Sequence, residues 1–507
     1  MSKVTIYGEG LDIEKVVRVA RRGEEVAIEG RCKSKVLRSR KIVEDIVEGE
    51  KTAYGITTGF GELAHIHIPK EDAQKLQENL VRSHAAGVGK LLARDIVRAI
   101  MLIEANSLCR GLSGVRLDVL EMLVGLLNKK ISPCIPERGS LGASGDLAPL
   151  AHLALVLIGR GEAFVGGKRV SGSAALRRAG LKPLRLQAKE GLALLNGTHV
   201  MTGVASLFVH DGFNLAKNAL IASAMSLDAL RGTNAAFSPK IMRARPHRGQ
   251  IAVAETMNRI LEGSGILASH RKSDHKVQDA YTLRCIPQVL GATLDTLHYA
   301  RGVLEIEMNS STDNPLIFEK PYPGGNFHGQ PVALVCDFSK IAVAEIGSFA
   351  ERRIDRLLDP ALSELPPFLT KHSGLNSGFM IPHYTVASLV SENKILCHPA
   401  SVDSISVSAN QEDHVSMGMN AALKAEEVLR NVETIVAIEF LCAAQGLEFR
   451  RPLKSGRGVE AAHRTIRKYV RPLGEDRELW KDINTATSIV RGGEIVEACE
   501  KVCGRLW

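Results

Sequence analysis

The chain has 507 residues, 45% of them hydrophobic and 24% charged, enough to bury a large core and unlike a disordered or disulfide-stapled chain. Its net charge of +9 is spread along the whole length among interleaved acids, and the basic runs Arg31–Lys35 and Arg450–Lys454 lack interleaved aromatics, which argues against a nucleic-acid partner. The longest apolar run, Leu147–Ile158, is too short to span a bilayer and contains His152, and no apolar signal core follows Met1, so no membrane partner is expected. The 9 cysteines include no C-x-x-C pair, and Cys499 and Cys503, four apart, read as reduced thiols, which together predict a cytoplasmic location and no metal.

In chain order, strand-like runs at Val4–Tyr7 and Glu25–Ile28 alternate with helical patterns over Asp12–Arg22 and Val36–Glu48. Glycine-rich turns are frequent up to about Gly172, and the short strands are expected to pair as minor hairpins. From Gly191 the texture changes to long Ala/Leu/Glu-rich stretches of helical period over Val200–Leu230, Ile286–Met308, Val332–Leu358 and Val415–Ala444. Turn chemistry at Ser311–Pro315 and Pro321–Asn326 separates them. These patterns predict a mainly α protein: a long central helical bundle, residues 191–507, and a mixed N-terminal portion, residues 1–190, bearing the active-site loops.

Gly139–His152, reading GSLGASGDLAPLAH, is the most informative stretch. Its small residues allow a tight backbone path with positive φ. Asp146 is placed to cap the helix that follows, with Pro149 tolerated in its first turn, so Ser144 and Gly145 stand just outside a helix N-terminus. A serine nucleophile elbow would need glycine where Asp146 stands, and no phosphate-loop pattern occurs.

This stretch resembles the signature of the ammonia-lyases that carry a methylidene-imidazolone group. The resemblance implies that the Gly145 nitrogen attacks the Ala143 carbonyl with loss of two waters, one carrying the Ser144 hydroxyl oxygen. The residue types suit that chemistry: an unhindered nitrogen, a leaving hydroxyl, a small Ala143, and a fold that supplies the strain. Similar segments extend the likeness over most of the chain, most weakly after Leu453.

Two places bear on the substrate. Ser83-His84, where tyrosine-acting relatives typically carry His-Leu and phenylalanine-acting ones Phe-Leu, is similar to the histidine-acting branch, and an imidazole substrate needs a polar partner. Glu412, in Gln411-Glu412-Asp413-His414, stands where the phenyl-acting relatives carry a neutral or apolar group, and a carboxylate can accept the imidazole N–H. The resemblance implies elimination of ammonia from L-histidine to give trans-urocanate, with no metal and no dissociable cofactor. It further implies Tyr54, in the glycine-hinged Ala53–Gly61 loop, as proton carrier beside Tyr281 and Glu412. Arg284 would clamp the substrate carboxylate, with Gln278, Tyr281 and Arg284 at intervals of three on one helical face if that stretch is helical. His84, Asn196 and Phe327 would complete the pocket. Members of the family are tetramers whose active sites combine residues of several subunits, and a homotetramer is expected here. The alternatives left open are a tyrosine or phenylalanine lyase, an aminomutase bearing the same group, and a non-catalytic scaffold of this fold.

Overall fold

Local signals start and stop the first helix as the sequence suggests. The Asp12 carboxylate accepts the Lys15 N–H at 2.7 Å, and Gly23 ends the Ile13–Arg22 helix in the left-handed region at φ 68°. The structure, a computed structural model, describes residues 3–271 and 276–507, and it divides into two units.

The first unit comprises Met1–His210, Ala300–Asp337 and Pro399–Leu423. Its first two strands, Val4–Ile6 and Val26–Ile28, pair in parallel, with Val4 opposite Val26 and Ile6 opposite Ile28. They are therefore not the hairpin expected from sequence: the Ile13–Arg22 helix lies between them in the chain, and a helical crossover returns the second strand in the same direction. A true hairpin does form at Glu162–Val165 and Lys168–Ser171, turning through Gly166 and Gly167, both at positive φ. The Arg94–Cys109 helix is buried from Ile96 onward and packs against Ile13–Arg22 and Leu117–Asn128. Three helices, Ala73–His84, Leu147–Leu157 and Glu190–Leu195, pack against one another. Antiparallel pairing of Val88–Leu91 with Pro136–Arg138 joins the segment after His84 to the strand before Gly139.

The second unit comprises Asp211–Tyr299, Phe338–His398 and Lys424–Trp507. It is helical, and the long patterns read from the sequence are the helices His199–Ala229, Ile286–Glu307, Gln330–Leu358 and Gly418–Glu448, each divided along the chain between the two units. Arg248–Ile260, Arg457–Tyr469 and Glu494–Cys503 pack together at the C-terminal end of the chain. Among the described residues no helix is long and apolar enough to cross a membrane.

A buried ion pair ties three of the long helices inside this unit. Arg353 grips Glu439 in a two-pronged fork, Nε to Oε1 at 2.6 Å and Nη2 to Oε2 at 2.9 Å, and the Ser226 hydroxyl donates to the same carboxylate at 2.7 Å. Both charged side chains are fully buried. Their desolvation is offset only while every partner is present, so removing one leaves an uncompensated charge. Arg353→Met is expected to lower stability by about 3–5 kcal/mol, measured by chemical or thermal unfolding. Arg353→Met combined with Glu439→Leu should recover most of that loss, and a single variant as stable as the parent would show that the pair contributes nothing.

Candidate active site

The Gly139–Gly145 loop is held from several directions. Gly145 has φ 76° and forms a parallel bridge with Gly197, so close that a Cβ on Gly145 would lie 2.2 Å from the Gly197 carbonyl oxygen. Asn196 Nδ2 donates to the Ser144 carbonyl at 2.6 Å. The Gly142 carbonyl accepts from the Ser416 hydroxyl at 2.9 Å and the Gly329 N–H at 3.3 Å, and Met417 N–H donates to the Leu141 carbonyl at 2.7 Å.

Asp146 does something other than the sequence suggests. At φ −100° and ψ 51° its side chain makes no cap to its own helix. One oxygen accepts instead from the N–H groups of Val200 and Met201, both at 2.9 Å, and so caps the start of the His199–Ala229 helix. The other accepts from the Ser140 hydroxyl at 2.8 Å. Complete burial pushes this carboxyl up to about 6, against the pull of those donors.

Beside the loop lies a cavity of about 1110 Å³ lined by Tyr54, His84, Ala143, Ser144, Asn196, Phe327 and Glu412, residues drawn from six separate stretches of sequence. Gly145 is buried and does not line it. Tyr54 sits on the turn before Gly55, which has φ 71°, and its phenolic oxygen accepts the Gly61 N–H at 3.3 Å. His84 is the last residue of the Ala73–His84 helix, with Nδ1 3.1 Å from the Ser83 hydroxyl, and burial lowers its pKa, which favours the neutral ring. Glu412 stands at the foot of a tight turn in which Ser408, Ala409 and Asn410 all have positive φ, closed by the Val407–Glu412 bridge. Burial raises the Glu412 pKa, and a hydrogen bond from the Ser144 side chain opposes the rise. The partner of Ser144 is thus a carboxylate, where a serine nucleophile would need an imidazole base.

The other predicted residues are not among those that line this cavity. Gln278, Tyr281 and Arg284 belong to the second unit. Only Tyr281–Arg284 is helical, and Gln278 precedes it on irregular backbone, so the expected three-residue face does not reach Gln278. Gln278 borders a separate cavity of about 260 Å³ with Lys276, Arg356 and Glu364. Tyr281 is 69% exposed, and the Arg284 guanidinium lies over its ring at 4.6 Å. Sequence reasoning missed Asn314, His328 and His414 as cavity residues. The His328 and His414 rings stack in parallel at 5.7 Å. His328 follows Phe327 and His414 lies two residues after Glu412, both singled out in the sequence, but only the fold brings the two segments together.

Residues 11–468 match the family described as aromatic amino acid lyase. A histidine ammonia-lyase of Caldanaerobacter subterraneus subsp. tengcongensis is 53% identical over 504 residues, covering 99% of both chains. Among solved structures, a tyrosine aminomutase of Streptomyces globisporus is similar at TM-score 0.94 and 41% identity, covering 99% of each chain. A histidine ammonia-lyase of Trypanosoma cruzi is similar at TM-score 0.92 and 40% identity, covering 99% of this chain and 96% of that one. The chain belongs to the aromatic amino acid lyase family.

Proposed function

We propose that the protein is a histidine ammonia-lyase, converting L-histidine to trans-urocanate and ammonia. The Cα–N bond breaks, a β-proton leaves and a double bond forms, so no oxidant or reductant is needed. The observation that carries the reading is the meeting of Ser144, Glu412 and His84 in one cavity. Similarity of the fold does not choose the substrate, since an aminomutase of tyrosine is equally similar. The relatives named for histidine, together with Ser83-His84 and Glu412, favour histidine.

Ala143, Ser144 and Gly145 fit a backbone-derived methylidene-imidazolone. Gly145 accepts no side chain, Asn196 holds the Ser144 carbonyl, and Asp146, the next residue, is anchored by the Val200 and Met201 N–H groups. Such a group supplies an electrophilic carbon for the substrate amine. Glu412 and His84 bind and orient the imidazole, and Tyr54 lines the same cavity, where as a phenolate it would take the β-proton on its oxygen. Phe327 walls the site, and no dissociable cofactor or metal enters the scheme.

Gln278, Tyr281 and Arg284 act, in this reading, in the cavity of a neighbouring copy within a homotetramer. Three observations support it. Tyr281 is exposed, the buried Arg284 Nε finds no acceptor among the described residues, and Leu334, Phe338 and Ile341 expose an apolar stripe on one helix. A cytoplasmic location accords with nine free cysteines.

Ultraviolet scans with histidine, tyrosine and phenylalanine as separate substrates test the assignment. Urocanate from histidine alone is expected, and coumarate from tyrosine with no urocanate would overturn it. Ser144→Ala should reduce turnover to background with unchanged far-ultraviolet circular dichroism. Glu412→Gln should lower kcat/KM for histidine by about 100-fold or more, and an unchanged rate would remove Glu412 from the mechanism.

A further inference from the structure

His152 is half-buried on the Leu147–Leu157 helix and is not among the residues lining the large cavity. Its Nε2 accepts the Gly87 N–H at 3.1 Å. Gly87 lies three residues beyond His84, in the turn between the Ala73–His84 helix and the Val88–Leu91 strand. That turn is otherwise closed locally, by Ala86 N–H on the His84 carbonyl at 2.8 Å and by the Ser83 hydroxyl on the Leu80 carbonyl at 3.1 Å.

The approach is close. A Cβ on Gly87 would lie 3.2 Å from both the Arg138 carbonyl oxygen and His152 Nε2, and a Cβ on Gly139 would lie 3.2 Å from the Gly87 Cα. Strand pairing with Pro136–Arg138 holds the far side of the turn. The strand leads into the Gly139–Gly145 loop and the His152 helix leads out of it. The turn carrying His84 is thus fastened to both ends of the loop carrying Ser144, and the imidazole is the side-chain half of that fastening.

We propose that His152 is a positioning residue for substrate selection, which by accepting the Gly87 N–H fixes the Ser83-His84 turn relative to Ala143-Ser144-Gly145. This rests on the reading above that His84 meets the substrate. Nε2 accepts only while unprotonated, so the ring is the neutral tautomer with its proton on Nδ1. Burial lowers the His152 pKa and favours that form.

Two variants of the full-length enzyme separate the hydrogen bond from mere packing. A glutamine carboxamide reaches as far as Nε2 of the imidazole, whereas an asparagine carboxamide stops near the position of Nδ1. His152→Asn is expected to raise KM about tenfold with kcat changed by less than about threefold. It should also speed hydrogen exchange of the peptide containing Gly87, while retaining the two-water mass loss. His152→Gln should stay near the parent in all of these. Kinetics are read on whichever of histidine, tyrosine and phenylalanine the parent deaminates, so a wrong substrate assignment is seen separately from a wrong role for His152. If the parent deaminates none, the exchange comparison decides. Equal behaviour of the two variants, or a fall in kcat with KM unchanged, would overturn the proposal.

Discussion

Gly145 and Gly197 run side by side with no room for a side chain on either. A Cβ on Gly145 would fall 2.2 Å from the Gly197 carbonyl oxygen, and one on Gly197 would fall 2.6 Å from His199 Cε1. Both residues have positive φ, so conformation and space demand glycine together. The rest of the site depends on this contact. It fixes where Ser144 leaves the loop, and Asp146, the next residue, donates its own N–H to the Gly197 carbonyl at 2.8 Å while its carboxylate caps the helix that follows. One short crossing therefore joins the reactive loop to the start of a 31-residue helix. A loop so constrained can hold a backbone geometry that a free peptide would leave at once.

Around that anchor the cavity is assembled from groups whose charge states are set by burial. Burial lowers the His84 pKa and raises that of Glu412, which still receives the Ser144 hydroxyl. Burial disfavours the charged form of both groups, which suits hydrogen bonding to a substrate that is itself an imidazole. The His152 bond to Gly87 extends this support outward, since the Ser83-His84 turn and the Gly139–Gly145 loop share it.

Many of the residues that line the cavity were legible in the sequence because they sit in contiguous motifs. Ala143-Ser144-Gly145, Tyr54, Ser83-His84, Asn196 and Glu412 each sit in a short recognisable stretch, and the long helices announce themselves by period. What escaped depends on contacts between distant segments. Asp146 looks like the cap of the helix it precedes, yet it caps one beginning at His199, because its backbone angles turn the side chain away from its own helix. The first two strands look like a hairpin and are parallel, because a helix separates them. His328 and His414 meet only through folding. Gln278, Tyr281 and Arg284 were legible as a motif, yet none of them lines the large cavity, because they belong to the second unit.

The proposed catalysis turns on whether Ala143, Ser144 and Gly145 close into a ring. The intact mass of the purified, denatured chain measures that directly. A mass lower than that of the sequence by two water molecules, with the loss mapped to the peptide spanning Gly139–His152, is the predicted result. An unmodified peptide in freshly folded protein would contradict the account and leave a scaffold with a lyase fold.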